Sequence, residues 1–309
     1  MSMQQVEQAP IQTEARRAQM EREVRRIEAT NNVGTGILWV VAALVAVLFV
    51  GIIIYLLFQG AVYLFNPQFY GISNVGVGQE IFNTFYILIF AEVISLPVAL
   101  AAAIYLIEYA RQGPLVTVIH FAAETLASVP SIVLGLFGVL IFVNSFHLGT
   151  SRVAGALTLL CLNLPLGLRL FEDALSSVPR EMREGGLALG ATKWRVIRTV
   201  VIPSALPGIV TAIILTAGKI IGEAAALLFT MGLTNPSNVF TPNPSIASDT
   251  LTTHLYYIAG PGAGSTGLTT AQETVITAGS STLLILLLLI INLAARGIGR
   301  YIERRVTAA

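Results

Sequence analysis

Charge is what this chain of 309 residues has least of. Asp, Glu, Lys and Arg make up 11% of it, against about a quarter in a soluble domain, too few to cover a water-facing surface. Neither sign is in excess, with 18 Lys and Arg against 17 Asp and Glu, which excludes the basic surplus of a nucleic-acid binder. Cysteine is almost missing: Cys161 stands alone, so no internal disulfide can form. One cysteine with three scattered histidines (His120, His147, His254) provides no structural zinc pattern, and no metal ligation is expected. What fills the chain is apolar, with 55% hydrophobic residues and a mean hydropathy of +0.77. A soluble enzyme, a secreted disulfide scaffold and a disordered chain are all disfavoured. The composition describes an all-α integral membrane protein.

A helix needs about 20 apolar residues to cross a bilayer. Ile37 to Phe58 is an apolar run without one charge, preceded by a polar stretch too long for the start of a secretory signal. The further spans are expected at Phe82 to Ile107, Pro130 to Val143, Val153 to Phe171, Leu206 to Phe229 and Val275 to Ile298, six in all, the third being short. With the N-terminus inside, the outside segments are Asn66–Glu80, Asn144–Ser151 and Met231–Thr274, and none holds a Lys or Arg. Both termini and the central loop are basic, so the positive-inside rule sets N-in, C-in. The resulting organisation is a cytoplasmic tail (1–36), a first span with its outside loop (37–74), a transmembrane domain (75–300) with a cytoplasmic loop at 172–203, and a C-terminal tail (301–309). In the first tail Met20, Val24 and Ile27 share one face, as in a short interfacial or solvated helix. The 231–272 segment carries Pro236, Pro242, Pro244 and Pro261, with helix expected over Asp249 to Ala259. A loop of that length is uncommon unless it has a function.

Three basic residues fall within spans. Arg152 and Arg169, near opposite ends of the fourth, can snorkel to the headgroups. Lys219 lies 13 residues into the fifth, roughly 20 Å deep at 1.5 Å per residue, where a charge costs about 3 kcal/mol. Glu223, four residues on in an unbroken helix, would neutralise it as a self-contained ion pair or join it in lining a pathway. Gly218, Gly222 and Ala226 form a small-residue row beside the pair, suited to close helix packing. Glu92, near Pro97 in the second span, is either a proton relay or a buried pairing partner.

The cytoplasmic loop reads as two amphipathic helical stretches separated at Gly190. Its spacing, Glu184-Gly185-Gly186, three residues, Gly190, nine residues, then Val200-Val201-Ile202-Pro203, resembles the coupling motif of ABC-importer permeases. That motif runs Glu-Ala-Ala, three residues, Gly, nine residues, Ile-x-Leu-Pro, so Gly185 and Gly186 replace alanines and weaken the first helix by up to about 1 kcal/mol each. Segments Tyr105–Ala110, Ser128–Gly138, Glu172–Leu175 and Gly222–Thr230 are similar to the phosphate-uptake (Pst) branch of that family, and to its PstA-type permease more than to the sister permease. The resemblance runs from about Gly76 to the C-terminus. It implies the type I importer permease fold and a permease subunit of an ATP-driven, binding-protein-dependent phosphate importer. It also implies a sister permease, a cytoplasmic ATPase dimer that binds ATP and magnesium, and an extracytoplasmic phosphate-binding protein. No cofactor and no catalytic site are expected in this chain. The family's basic residue after the Leu-Pro of the fourth span corresponds to Arg169, after Leu164-Pro165, and its arginine before Gly-Glu to Lys219. Lysine there keeps the charge but loses the bidentate fork.

Other readings stay open. The coupling motif does not separate phosphate from molybdate, phosphonate or an amino acid. A secondary transporter would have no use for an ATPase-docking element. Gly262 to Gly267 fits GxGxxG but stands in an outside loop without the required strand and helix. Gly218-Lys219 lacks the rest of a phosphate-binding loop, so no nucleotide site is expected.

Overall fold

The computed structural model describes residues 3–72, 75–234 and 240–307, so Pro236 of the outside loop lies outside the described residues. Two compact units divide at Tyr55 and Leu56. The first is the greater part of α1 (Met3–Leu64), one continuous helix with no break between the polar tail and the apolar run. Its apolar side chains between Ile37 and Tyr55 are exposed, as a lipid-facing helix requires.

The second unit is a helical bundle. It comprises α2 (Gly78–Ile104), α3 (Pro114–Ser128), α4 (Ser131–Gly138), α5 (Arg152–Ser176), α6 (Arg180–Ala188), α7 (Lys193–Val196), α8 (Ile202–Gly222), α9 (Ala225–Thr230), α10 (Leu251–Ala259) and α11 (Thr270–Thr307). Three π-helical turns, Tyr105–Tyr109, Val139–Ser145 and Ile197–Val201, extend α2 and α4 and join α7 to α8. The last of these makes Lys193–Gly222 one 30-residue rod, so the chain does not stop at Pro203. That proline is the second residue of α8, directly after the π-helical turn, so its missing N–H falls within the continuous rod.

Five helices are long and apolar enough to cross a membrane among the described residues, and a bent pair makes a sixth. The bent pair corrects the short third span. Residues 114–128 and 131–145 are two helical limbs that meet at 101°, because Pro130 forces Val129 into extended backbone (ψ 130°). The fifth span is corrected too. It ends at Gly222, and residues up to Phe229 belong partly to the separate α9.

Small residues set the helix spacing, but not the row the sequence suggests. A Cβ added at Gly167 would lie 3.3 Å from the Ala99 Cβ, and one at Gly208 would lie 2.7 Å from the Ala174 Cβ. These contacts bring α5 against α2 and α8, around a buried core that includes Ala103, Leu106, Phe171, Leu175, Val201 and Ile209. Gly218 and Gly222, by contrast, face open space, and Ala226 belongs to α9, where its backbone meets Gly135 of α4. The three do not form one packing stripe within this chain, because the helix carrying the first two ends before the third.

Arg152 corrects the snorkelling expectation. Its side chain is fully buried. Nε donates to Ser248 Oγ at 3.0 Å, Nη1 to the carbonyls of Asn243 (3.1 Å) and Thr241, and Nη2 to Asn83 Oδ1. The guanidinium centre lies 4.5 Å from the Tyr86 ring centroid, within cation–π range. The loop before α10 therefore folds back over the start of α5 and hides the charge. Arg152→Ala would leave Asn83, Ser248 and two carbonyls without their donor. A loss on the order of 3 kcal/mol is expected, read as a lower thermal midpoint and faster proteolysis at residues 240–250. An unchanged midpoint with the loop still protected would contradict this role.

Candidate functional site

Two regions of the bundle carry chemistry that packing does not require. The first is a cavity of about 590 Å³ whose lining includes His120 and Glu124 of α3, Arg169, Glu172 and Asp173 of α5, and Lys219 of α8. Arg169 and Lys219 thus share one cavity. Pro165 also lines it, and its missing N–H leaves the Cys161 carbonyl without a helical donor and loosens α5 there. Lys219 Nζ donates to the neighbouring Leu162 carbonyl at 3.1 Å, which ties α8 to α5 at this level. Glu172 Oε2 lies 3.7 Å from His120 Nδ1 across the α3–α5 gap.

Glu223 is not where an unbroken helix would put it. The chain turns extended at this residue (φ −77°, ψ 123°), and its Oε1 accepts from the Ala226 N–H at 3.1 Å at the start of α9. It is buried and outside the cavity lining. Of the two readings of this pair, the self-contained ion pair is not formed: no salt bridge joins Lys219 and Glu223 among the described residues. The i, i+4 relation holds only within one helix. Among the described residues Glu92 finds no ionic partner: it is 8% exposed and neither carboxyl oxygen has a hydrogen-bond partner there.

The second region is the knob formed by α6 and α7. Helix α6 ends at Gly190, whose φ of +80° is left-handed. Ala191 N–H reaches the Gly186 carbonyl (3.3 Å) and Gly190 N–H the Leu187 carbonyl (2.9 Å), the paired bonds of a Schellman cap. Thr192 then caps α7 through its side chain. Glu184 and Gly185 are exposed on α6, and Gly186 packs against Val196. Room for a Cβ is open at Gly185 but only 2.9 Å from the Val196 Cγ2 at Gly186. Gly185→Ala should therefore raise stability by up to about 1 kcal/mol while Gly186→Ala gains less, measured by denaturant unfolding of the purified protein. Equal gains at both positions would contradict the packing.

Arg183 of α6 anchors the knob. Nε pairs with Glu108 Oε1 at 3.0 Å, Nη1 donates to the Val178 carbonyl at 2.9 Å and Nη2 to that of Leu175 at 2.6 Å. Lys193 Nζ adds a contact to the Glu108 carbonyl. The clamp fixes both knob helices to the inner end of the second span. Four apolar side chains, Met182, Leu187, Leu189 and Trp194, are left exposed on the knob, Leu189 by 90%.

The family described as "binding-protein-dependent transport system inner membrane component" matches residues 95–308. The chain belongs to this family. It is an ABC-importer permease of the inner membrane, similar to PstA-type phosphate permeases in part of its length. The probable ABC transporter permease protein YqgI of Bacillus subtilis (strain 168) is 37% identical over 90% of this chain and 98% of that protein. The phosphate transport system permease protein PstA 1 of Mycobacterium tuberculosis (strain ATCC 25618 / H37Rv) is 36% identical over 56% of each chain. The PstA homologue of Mycoplasma pneumoniae (strain ATCC 29342 / M129 / Subtype 1) is 38% identical over 58% of this chain but only 28% of its own length. The permease therefore spans about half, or less, of these phosphate relatives. Among solved structures, the MetNI methionine ABC transporter in an inward-facing form matches with a TM-score of 0.53 over 74% of this chain and 94% of that one, at 24% identity. A bacterial alginate ABC transporter with its periplasmic protein matches with a TM-score of 0.56 over 79% and 82%, at 15% identity. These two likenesses support the type I importer permease fold and say nothing of substrate.

Proposed function

We propose that this permease is one of two membrane subunits of an ATP-driven importer of inorganic phosphate. The observation that carries the reading is the shared cavity of Arg169 and Lys219. Crossing hydrocarbon is prohibitive for phosphate unless protein charges or dipoles replace its water, and two cations on facing helices supply that field. The order along α5 suits transit: Lys219 bonds at Leu162, Arg169 follows, and Glu172 and Asp173 come last, nearer the cytoplasm. The carboxyl groups of Glu124, Glu172 and Asp173 temper the positive field of Arg169 and Lys219, so an anion is not held too tightly to leave. Part of each phosphate-transporting relative aligns with this chain, which supports the same substrate. The same machine serving molybdate, phosphonate or an amino acid is the second reading, since the knob is common to all.

The permease has no nucleotide site in this reading. A cytoplasmic ATPase dimer binds ATP and magnesium and grips the exposed apolar knob around Leu189, with Glu184, Gly190 and Pro203 setting its shape. A sister permease covers the open face of Gly218 and Gly222, and an extracytoplasmic binding protein delivers phosphate to the outside loop. Glu223 holds the α8–α9 break beside the path. The test is ATP hydrolysis by the purified complex: phosphate-loaded binding protein should stimulate it, whereas molybdate or phosphonate should not. Stimulation by another anion and none by phosphate would replace the substrate assignment.

A further inference from the structure

On the outward face, a cavity of about 380 Å³ is lined in part by Glu80 of α2, Asp249 before α10 and His254 within α10. One ligand atom from each of these three side chains lies within 4.8 Å of the other two. Glu80 comes from α2, whereas Asp249 and His254 lie five residues apart around the start of α10, so the group joins two distant stretches of the chain. None is on the path through Arg169 and Lys219.

We propose that Glu80, Asp249 and His254 form a site for a divalent transition cation, Zn²⁺ or Mn²⁺. Glu80 is 7% exposed, yet its Oε2 has no hydrogen-bond partner among the described residues. Asp249 is 1% exposed. Its Oδ1 is held by the Thr234 N–H (3.1 Å) and hydroxyl, while its Oδ2 lies 2.8 Å from His254 Nδ1. Among the described residues no Lys or Arg lines the cavity, so one imidazole is the only candidate counter-charge to two buried carboxyl groups. A divalent ion removes the deficit and occupies the unpartnered oxygen. One imidazole and two carboxylates are the mixed nitrogen and oxygen donors that zinc and manganese accept, with water completing the shell. The Thr234 contacts supply the outer-shell support that orients a carboxylate ligand. The three donor atoms must draw together around a Zn²⁺ at about 2.0–2.2 Å from each, a movement that side-chain rotation in an open cavity allows. Bound there, the ion pins the loop before α10 to the outer end of α2. The proposal stands whatever the transported substrate is.

The test uses the purified permease complex, stripped with EDTA, dialysed, and titrated with Zn²⁺ or Mn²⁺ without nucleotide. Metal is counted by mass spectrometry and the thermal midpoint recorded. One ion per copy of this chain and a raised midpoint are expected. Affinity should fall about tenfold or more in Glu80→Gln and in His254→Gln. His254 is the safer position, its side chain being 21% exposed, and gel filtration confirms that each variant remains assembled. No stoichiometric ion in the wild-type complex overturns the proposal. So does binding that both substitutions leave unchanged.

Discussion

Lys219→Ala abolishes phosphate uptake while the complex still assembles. The substitution removes the cation that α8 contributes to the cavity and one hydrogen bond to Leu162. Assembly should survive, because a charged hydrogen bond is worth about 1.5–3 kcal/mol and the cost of holding a charge at this depth, about 3 kcal/mol, disappears with it. Transport should not survive. An interaction of that size withdrawn from the barrier slows passage about a hundredfold, at 1.36 kcal/mol per tenfold. Lys219→Arg should keep much of the activity, since Arg also supplies the charge and donors for the Leu162 carbonyl. Glu223→Gln should be milder than Glu223→Ala, because a glutamine oxygen can still accept from the Ala226 N–H. Radiolabelled phosphate uptake at equal expression measures all four. Uptake by Lys219→Ala at the wild-type rate would leave Arg169 as the cation of the path.

The second large effect belongs to the knob. Gly190→Leu places a bulky side chain where φ is +80°, a conformation that costs an L-residue about 1–2 kcal/mol. The strain is relieved by opening the Schellman cap, which changes the angle between α6 and α7 while leaving the long helices intact. The protein should reach the membrane in normal amount. ATP hydrolysis should then run without transport, or the ATPase should be lost on purification. Normal phosphate uptake in Gly190→Leu would remove the docking role of the knob.

How much of this was legible depended on the range of the interaction. The coupling pattern was readable because glycine at a left-handed turn is a local demand, and Gly190 meets it. Long apolar helices were readable for the same reason. The α3–α4 pair was half hidden: Pro130 marked the bend, but α3 carries His120 and Glu124 on a cavity wall and so never forms an apolar run. The Lys219–Glu223 pair failed because helical spacing assumes a continuous helix, and the break after Gly222 carries no proline to announce it. Arg152 was misjudged because its partner Ser248 lies 96 residues away, and the Arg183 clamp was not legible because Glu108 lies 75 residues away. No periodicity reports such contacts. The convergence of Arg169 and Lys219 is equally long-range, and there the resemblance to a transporter family pointed to residues that composition alone would have left as snorkelling or paired charges.

The most direct measurement is phosphate accumulation in proteoliposomes containing this permease, its sister subunit and the ATPase, with the binding protein outside. Radiolabelled phosphate should accumulate against its gradient only when ATP is present within reach of the ATPase, and excess unlabelled molybdate should not compete. Accumulation without ATP, or none of phosphate while another anion is carried, would contradict the account.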